Sequence, residues 1–144
     1  MLLVLVAIKM TKHSHDMDST ASARNFQWGE DRCIRCDMKI KDKYFAAQII
    51  NPDNKIVYRF DDIGCAVLWL NENHVTWENK AIIWVTDAKS GEWIMAQKAL
   101  FLDDSITPMA FGFAAYSTET LPPKSRPIVY DEINRRIKMI ENSR

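Results

Sequence analysis

The segment with the most evident chemistry is Cys33-Ile34-Arg35-Cys36-Asp37-Met38. A gap of two residues between cysteines lets both sulfur atoms of a tight loop reach one point in space. That geometry has three common uses, which are half of a zinc site, a redox dithiol and a soft-metal site. A plain structural disulfide is a fourth interpretation if the compartment is oxidising. The sequence has three cysteines, so all of them cannot pair within the chain.

The surroundings of this dithiol favour a soft metal over the alternatives. A structural zinc site normally takes four ligands from two paired motifs, and a second pair is missing. A thioredoxin-like dithiol begins a helix after a strand, whereas this motif follows a polar linker and precedes a predicted hairpin. Met38 stands two residues beyond Cys36, and thiolate and thioether ligands select Cu(I). On the motif alone, zinc, redox and disulfide roles stay open.

A second candidate thioether lies in the segment Ser105-Ile106-Thr107-Pro108-Met109-Ala110-Phe111-Gly112. Pro108 fixes the backbone immediately before Met109, and Gly112 permits a close approach of another chain segment. This pattern predicts that Met109 lies in the mouth of a loop. Most methionines are packing residues, so the pattern is weak on its own.

Five other side chains are of types that could bind a metal. His13, His15 and Met17 are close enough in sequence to capture copper, although a solvated polar tail is the alternative. Cys65 is interpreted as a small buried hydrophobe in preference to a ligand. His74 is interpreted as a solvated loop histidine.

The elements that must position these residues begin with a predicted hairpin. Residues 44–50 and 55–60 are β-prone and flank an Asn-Pro-Asp-Asn turn at residues 51–54. Asp61 and Asp62 offer an N-cap for a helix over about residues 63–71. That helix is apolar all round, so it must be covered on both sides or face a partner.

A similar pattern then recurs at a spacing of 36 residues. Residues 81–85 and 92–94 are predicted strands around a turn at 87–91, and residues 95–100 are a short predicted helix. A further strand is predicted at 111–116, and an amphipathic helix at 131–142. The predicted class is therefore α+β, with two small strand–turn–strand–helix units and a C-terminal amphipathic helix.

Length and charge limit the organisation and the partners. The 144 residues amount to about one domain's worth of sequence. We divide them into an apolar start and flexible linker at 1–25, an α+β domain at 26–120, and a loop and helix at 121–144. The net charge is zero and no run of Lys or Arg occurs, which argues against a nucleic-acid partner. Residues 1–8 are interpreted as the remainder of an export signal or anchor, too short to span a bilayer.

Several short motifs occur in an order typical of one known family. They are Cys33-Ile34-Arg35-Cys36-Asp37-Met38-Lys39-Ile40, Phe60-Asp61-Asp62-Ile63-Gly64, Val85-Thr86-Asp87, Ser90-Gly91-Glu92-Trp93-Ile94 with Ala96, and Thr107-Pro108-Met109 with Gly112, Ala114 and Ala115. Over about residues 31–117 the chain resembles the NosL family, the copper-binding accessory lipoproteins of nitrous oxide reductase assembly.

This resemblance implies a fold, a cargo and partners. The fold would be two similar α+β units related to part of organomercurial lyase. The protein would be a copper chaperone and not an enzyme, and it would bind Cu(I) in the periplasm or at the outer face of a membrane. Cys33, Cys36 and Met38 fall on the family's Cys-x-x-Cys-Gly-Met motif, and Met109 falls on its methionine after proline. The copper would pass to nitrous oxide reductase or another copper-accepting enzyme, with an ABC-type copper maturation complex as a further partner.

The sequence departs from the family pattern at two points. Asp37 stands where the family has glycine, so the loop must accommodate a side chain there. The lipid-attachment cysteine of the family is missing, which argues against anchoring of this chain through a lipid. Two other classes of function compete with the chaperone. One is a thiol–disulfide oxidoreductase or organometal lyase, and the other is a non-metal interaction module whose five tryptophans mark a partner surface.

Overall fold

The structure is a computed structural model, and it describes residues 21–144. The candidate ligands His13, His15 and Met17 lie outside the described residues, as do residues 1–8. The described residues form six strands, β1 (Ala47–Ile50), β2 (Val57–Phe60), β3 (Ile82–Thr86), β4 (Trp93–Met95), β5 (Leu100–Leu102) and β6 (Ala114–Tyr116). The helices are α1 (Ile63–Glu72) and α2 (Tyr130–Asn142), with 3₁₀ turns at Glu78–Lys80 and Ala96–Lys98. The predicted α+β class is confirmed.

The first predicted hairpin is confirmed as the antiparallel pair β1 and β2. Ala47 lies opposite Phe60 and Ile50 lies opposite Val57. The turn between the strands is closed by Asn51, whose side-chain oxygen accepts a hydrogen bond from the Asp53 amide at 2.9 Å. Asn51 therefore supplies the local turn chemistry that the sequence indicated.

The second hairpin does not form a separate sheet. β3 pairs antiparallel with β4, and it also pairs antiparallel with β1, so that the strand order is β2-β1-β3-β4. Asp87 closes the turn between β3 and β4 by accepting hydrogen bonds from the Lys89 and Ser90 amides. The two similar units therefore share one four-stranded sheet.

The predicted helix at 95–100 and the predicted strand at 111–116 are both shorter than expected. The helix is a single 3₁₀ turn, because Ala99 is already extended and Leu100 enters the pairing of β5 with β6. The strand begins only at Ala114, because Gly112 has a φ of 87° and interrupts the extended backbone. A residue with positive φ cannot continue a strand in register.

Helix α1 is held between the sheet and α2. It begins after Asp62, whose Oδ1 accepts a hydrogen bond from the Gly64 amide at 3.0 Å, and seven of its ten residues are buried. The apolar stripe of α2 includes the fully buried Ile133 and Ile137, and α2 packs against α1. This cover on both sides is what an all-apolar helix requires. Among residues 21–144, no helix combines the length and the apolar character needed to cross a membrane.

Candidate metal centre

The paired cysteines lie in a tight loop that precedes β1. The Cys33 amide donates to the Met38 carbonyl, and the Asp37 amide donates to the Cys33 carbonyl, both at 2.9 Å. Asp37 has a φ of 62°, the left-handed conformation that glycine adopts most easily. Aspartate tolerates this conformation better than most residues, so the loop closes without glycine. The Arg32 guanidinium also donates to the Asp37 carbonyl at 2.7 Å.

Two residues from the start of α1 complete the site. Asp61 follows directly after β2, and Cys65 lies in the first turn of α1. The Ile34 amide donates to the Arg59 carbonyl at 3.0 Å and so docks the cysteine loop onto β2. As a result, the sulfur atoms of Cys33, Cys36 and Cys65 and one carboxylate oxygen of Asp61 all lie within 4.8 Å of one another. We call these four residues the sulfur cluster.

The sulfur cluster is largely buried, and Cys36 is its most accessible member. Cys33 and Cys65 are 1% and 0% exposed, and Asp61 is 3% exposed, whereas Cys36 is half-buried. All three cysteines are free thiols. Thiolate sulfur is the donor that soft ions such as Cu(I) prefer, so the cluster is chemically suited to such an ion.

Hydrogen bonds distribute the charge unevenly over the three thiols. The hydrogen bond from the Cys65 side chain lowers the pKa of Cys33 to about 6, with help from the Cys36 and Asp61 amides and against the effect of burial. Burial raises the pKa of Cys36 to about 12. The hydrogen bond to Cys33 raises the pKa of Cys65 above its usual range. Of the three thiols, Cys33 is the one whose pKa is lowered.

Asp61 is an unusual member of the cluster. Its Oδ2 accepts a hydrogen bond from the Cys36 thiol at 3.3 Å. Its Oδ1 is buried and has no hydrogen-bond partner within the part of the chain that the structure describes. Buried polar atoms are nearly always satisfied, so this oxygen is expected to have a partner such as a bound ion or a water molecule.

Arg35 connects the cysteine loop to both helices. One of its guanidinium nitrogens lies 4.0 Å from the Cys65 sulfur. Another lies 2.7 Å from a Glu72 carboxylate oxygen and 3.2 Å from one of Glu141. The guanidinium thus places a positive charge beside the thiols while α1 and α2 hold it in position.

The two predicted thioether ligands occupy different surroundings. Met38 is 52% exposed at the outer edge of the cysteine loop. Met109 is partly buried and packs against the core, and its amide donates to Asp62 Oδ2 at 3.1 Å. Thr107 donates its hydroxyl to the same oxygen at 2.6 Å. The loop that carries Met109 is thus fixed to the start of α1, one residue from Asp61, and metal binding by either methionine stays a prediction.

The sequence located part of this site and missed the rest. The structure brings the predicted Cys33 and Cys36 together. Cys65 is buried, as interpreted, but its thiol also belongs to the sulfur cluster. Asp61 was considered only as a helix cap, a role that Asp62 fills. The available signal was the Asp-Asp pair just before a cysteine-containing helix turn.

The chain was also compared with known proteins. No protein-family model matches this sequence, and no curated protein gives a significant match. The resemblance to the NosL family therefore stays an expectation that depends on the short motifs quoted above.

Proposed function

We propose that this protein is a copper chaperone that works outside the cytoplasm. It binds Cu(I) through Cys33 and Cys36, with Met38 or Met109 as a weak thioether ligand, and delivers the ion to a copper enzyme. The observation that carries the proposal is the convergence of the cysteine sulfurs within 4.8 Å, with Cys36 the least buried of the three. Copper here is cargo, and weak ligands suit a carrier because the ion must leave by ligand exchange.

The identity of the acceptor comes from the resemblance alone. Nitrous oxide reductase is the proposed client, with another copper-accepting enzyme as the alternative and an ABC-type maturation complex as a further partner. Zinc is the competing cargo, because three cysteines and one carboxylate would also fill a tetrahedral shell. A thioether from Met38 or Met109 would favour copper, since thioethers are soft ligands that zinc rarely takes.

The first test is an anaerobic Cu(I) titration of the full chain against a chromogenic Cu(I) chelator, with Zn(II) as competitor. We expect tight binding of about one equivalent, as one cluster of thiolates would give. Cys33→Ser or Cys36→Ser should abolish it. Met38→Leu should weaken it modestly if Met38 is the thioether ligand of the bound ion, and Met139→Leu, which replaces a similarly exposed methionine on α2, is the matched control. Full affinity in both cysteine variants would show that the dithiol is not the site.

An organometal lyase is the second candidate, and one contact favours it. The 3.3 Å hydrogen bond between Cys36 and Asp61 places a proton carrier beside thiols that can hold a metal. In the reaction the metal–carbon bond would break, its electron pair and a proton would go to carbon, and the metal would stay on the thiolates. Incubation with a phenylmercury salt decides the matter: catalytic release of benzene supports the lyase, and stoichiometric binding without benzene supports the chaperone. A chaperone should also show no turnover in an insulin-reduction assay.

A further inference from the structure

Cys65 differs from an ordinary buried cysteine in what surrounds its sulfur. Buried cysteines usually behave as small hydrophobes among apolar neighbours. Here the Cys65 sulfur lies within 4.8 Å of the Cys33 and Cys36 sulfurs, and an Arg35 guanidinium nitrogen lies 4.0 Å away. Two further thiols and a guanidinium are polar neighbours, which a cysteine that only packs in a core does not have.

Asp61 provides an independent indication that the pocket is built for a cation. The residue is 3% exposed, and its Oδ1 is without a hydrogen-bond partner among the described residues. Leaving such an oxygen unpaired costs on the order of 1–3 kcal/mol in a folded protein. A metal ion bound within reach of this oxygen would give it the partner that the described residues do not supply.

We infer that Cys65 is the inner ligand of a three-sulfur Cu(I) site that also contains Cys33 and Cys36. This inference rests on the proposed function and specifies its coordination. Cys33 and Cys65 lie at the buried end of the pocket, and Cys36 lies at its accessible end. The methionines are then auxiliary ligands during transfer and are not required to complete the resting site.

The burial of the three sulfurs sets the order of ligand exchange. Cys36 is the least buried of the three cysteines, so we expect an incoming ligand from the acceptor to displace Cys36 first. The bond between copper and Cys36 breaks as the bond to the incoming ligand forms, and the freed thiolate takes a proton from water. The copper stays monovalent throughout, so no oxidant or reductant is needed.

The test is X-ray absorption spectroscopy at the copper edge on the full chain loaded with Cu(I). The unaltered protein should show three sulfur neighbours, and Met38→Leu/Met109→Leu should also show three. Cys65→Ser should show two, and its Cu(I) affinity should fall at least about tenfold, since even residues outside a coordination shell are commonly worth that much. Ala66→Ser, which places a hydroxyl at the next buried position of α1, is the matched control and should retain three sulfurs.

The outcomes separate this inference from the proposed function. Two sulfurs in the unaltered protein, or three that persist in Cys65→Ser, overturn the inference while copper binding stands. A drop to two sulfurs in the double methionine variant also overturns it, and this result does not depend on whether Cys65→Ser folds. If the unaltered protein shows no copper–sulfur scattering at all, the proposed function itself is rejected.

Discussion

Gly64 is where α1 touches the segment that carries Met109, and substitution there should disturb both. A Cβ atom built on Gly64 would lie 2.1 Å from Cδ2 and 2.2 Å from Cγ of the Phe111 ring. Carbon atoms in contact lie about 3.5–4.0 Å apart. In Gly64→Ala the ring would therefore have to move by more than about 1 Å, which the close packing of the interior resists.

The expected size of the effect follows from opposing contributions. Replacing glycine by alanine inside a helix stabilises it by about 1 kcal/mol. Overpacking a close contact costs about 1–3 kcal/mol. If the displaced segment also loses the hydrogen bond between the Met109 amide and Asp62, a further cost of about 1 kcal/mol is added. The net result is a free energy of unfolding about 1–3 kcal/mol lower than that of the unaltered protein.

Urea unfolding followed by tryptophan fluorescence measures this difference. The informative comparison repeats the substitution in a Phe111→Ala background, where the ring is gone. There Gly64→Ala should be neutral or stabilising by up to about 1 kcal/mol, because only the helix preference remains. If Gly64→Ala alone leaves the protein as stable as before, the ring does not pack on this glycine and the reasoning fails.

Three further predictions concern buried carboxylates and the lowest thiol pKa. Asp62→Ala should lower the free energy of unfolding by roughly 2–4 kcal/mol in urea titrations, because it removes a helix cap and leaves buried donors unpaired; a loss below about 1 kcal/mol would contradict this. Burial raises the pKa of Asp87, but hydrogen bonds, that from the Thr120 hydroxyl foremost, bring it below its usual value. Its contribution to stability is therefore complete above an unfolded pKa of about 3.9 and is lost as the pH falls through the lower folded pKa. The midpoint temperature of unfolding should depend less on pH over that acid range in Thr120→Val than in the unaltered protein. An equal dependence in the two proteins would refute this role of Thr120. In the copper-free protein, the ultraviolet absorbance of thiolate should rise first near pH 6, from Cys33, and Cys65→Ala should move that midpoint upward; a first midpoint near 9 in the unaltered protein would be inconsistent with the cluster.

The local elements of the fold were predictable because their signals are local. The Asn51 turn, the Asp62 cap and the apolar stripe of α2 each occur within a few residues of the structure that they specify. The pairing of β1 with β3 was not predicted, because strand pairing across a helix depends on packing that no short window contains. The positive φ of Gly112, which shortens the predicted strand at 111–116, is likewise set by the path of the chain around it.

The part of the candidate site that is close in sequence was predictable, and the part contributed by distant residues was not. Cys33 and Cys36 are close in sequence, so their spacing alone indicated a shared site. Cys65 and Asp61 reach them only because the cysteine loop docks on β2, through the hydrogen bond between the Ile34 amide and the Arg59 carbonyl. Adjacent aspartates also look equivalent in sequence, and only the structure separates the helix cap from the carboxylate that faces the thiols.

The pairing of β1 with β3 determines whether either half of the chain can be stable alone. Each unit contributes its first strand to the middle of the sheet, where four residues of β1 are matched with four of β3. A chain cut between α1 and β3 would turn both central strands into uncovered edges, which are templates for self-association. Neither half should persist as a monomer, and fragments made together should recover the native sheet by complementing each other.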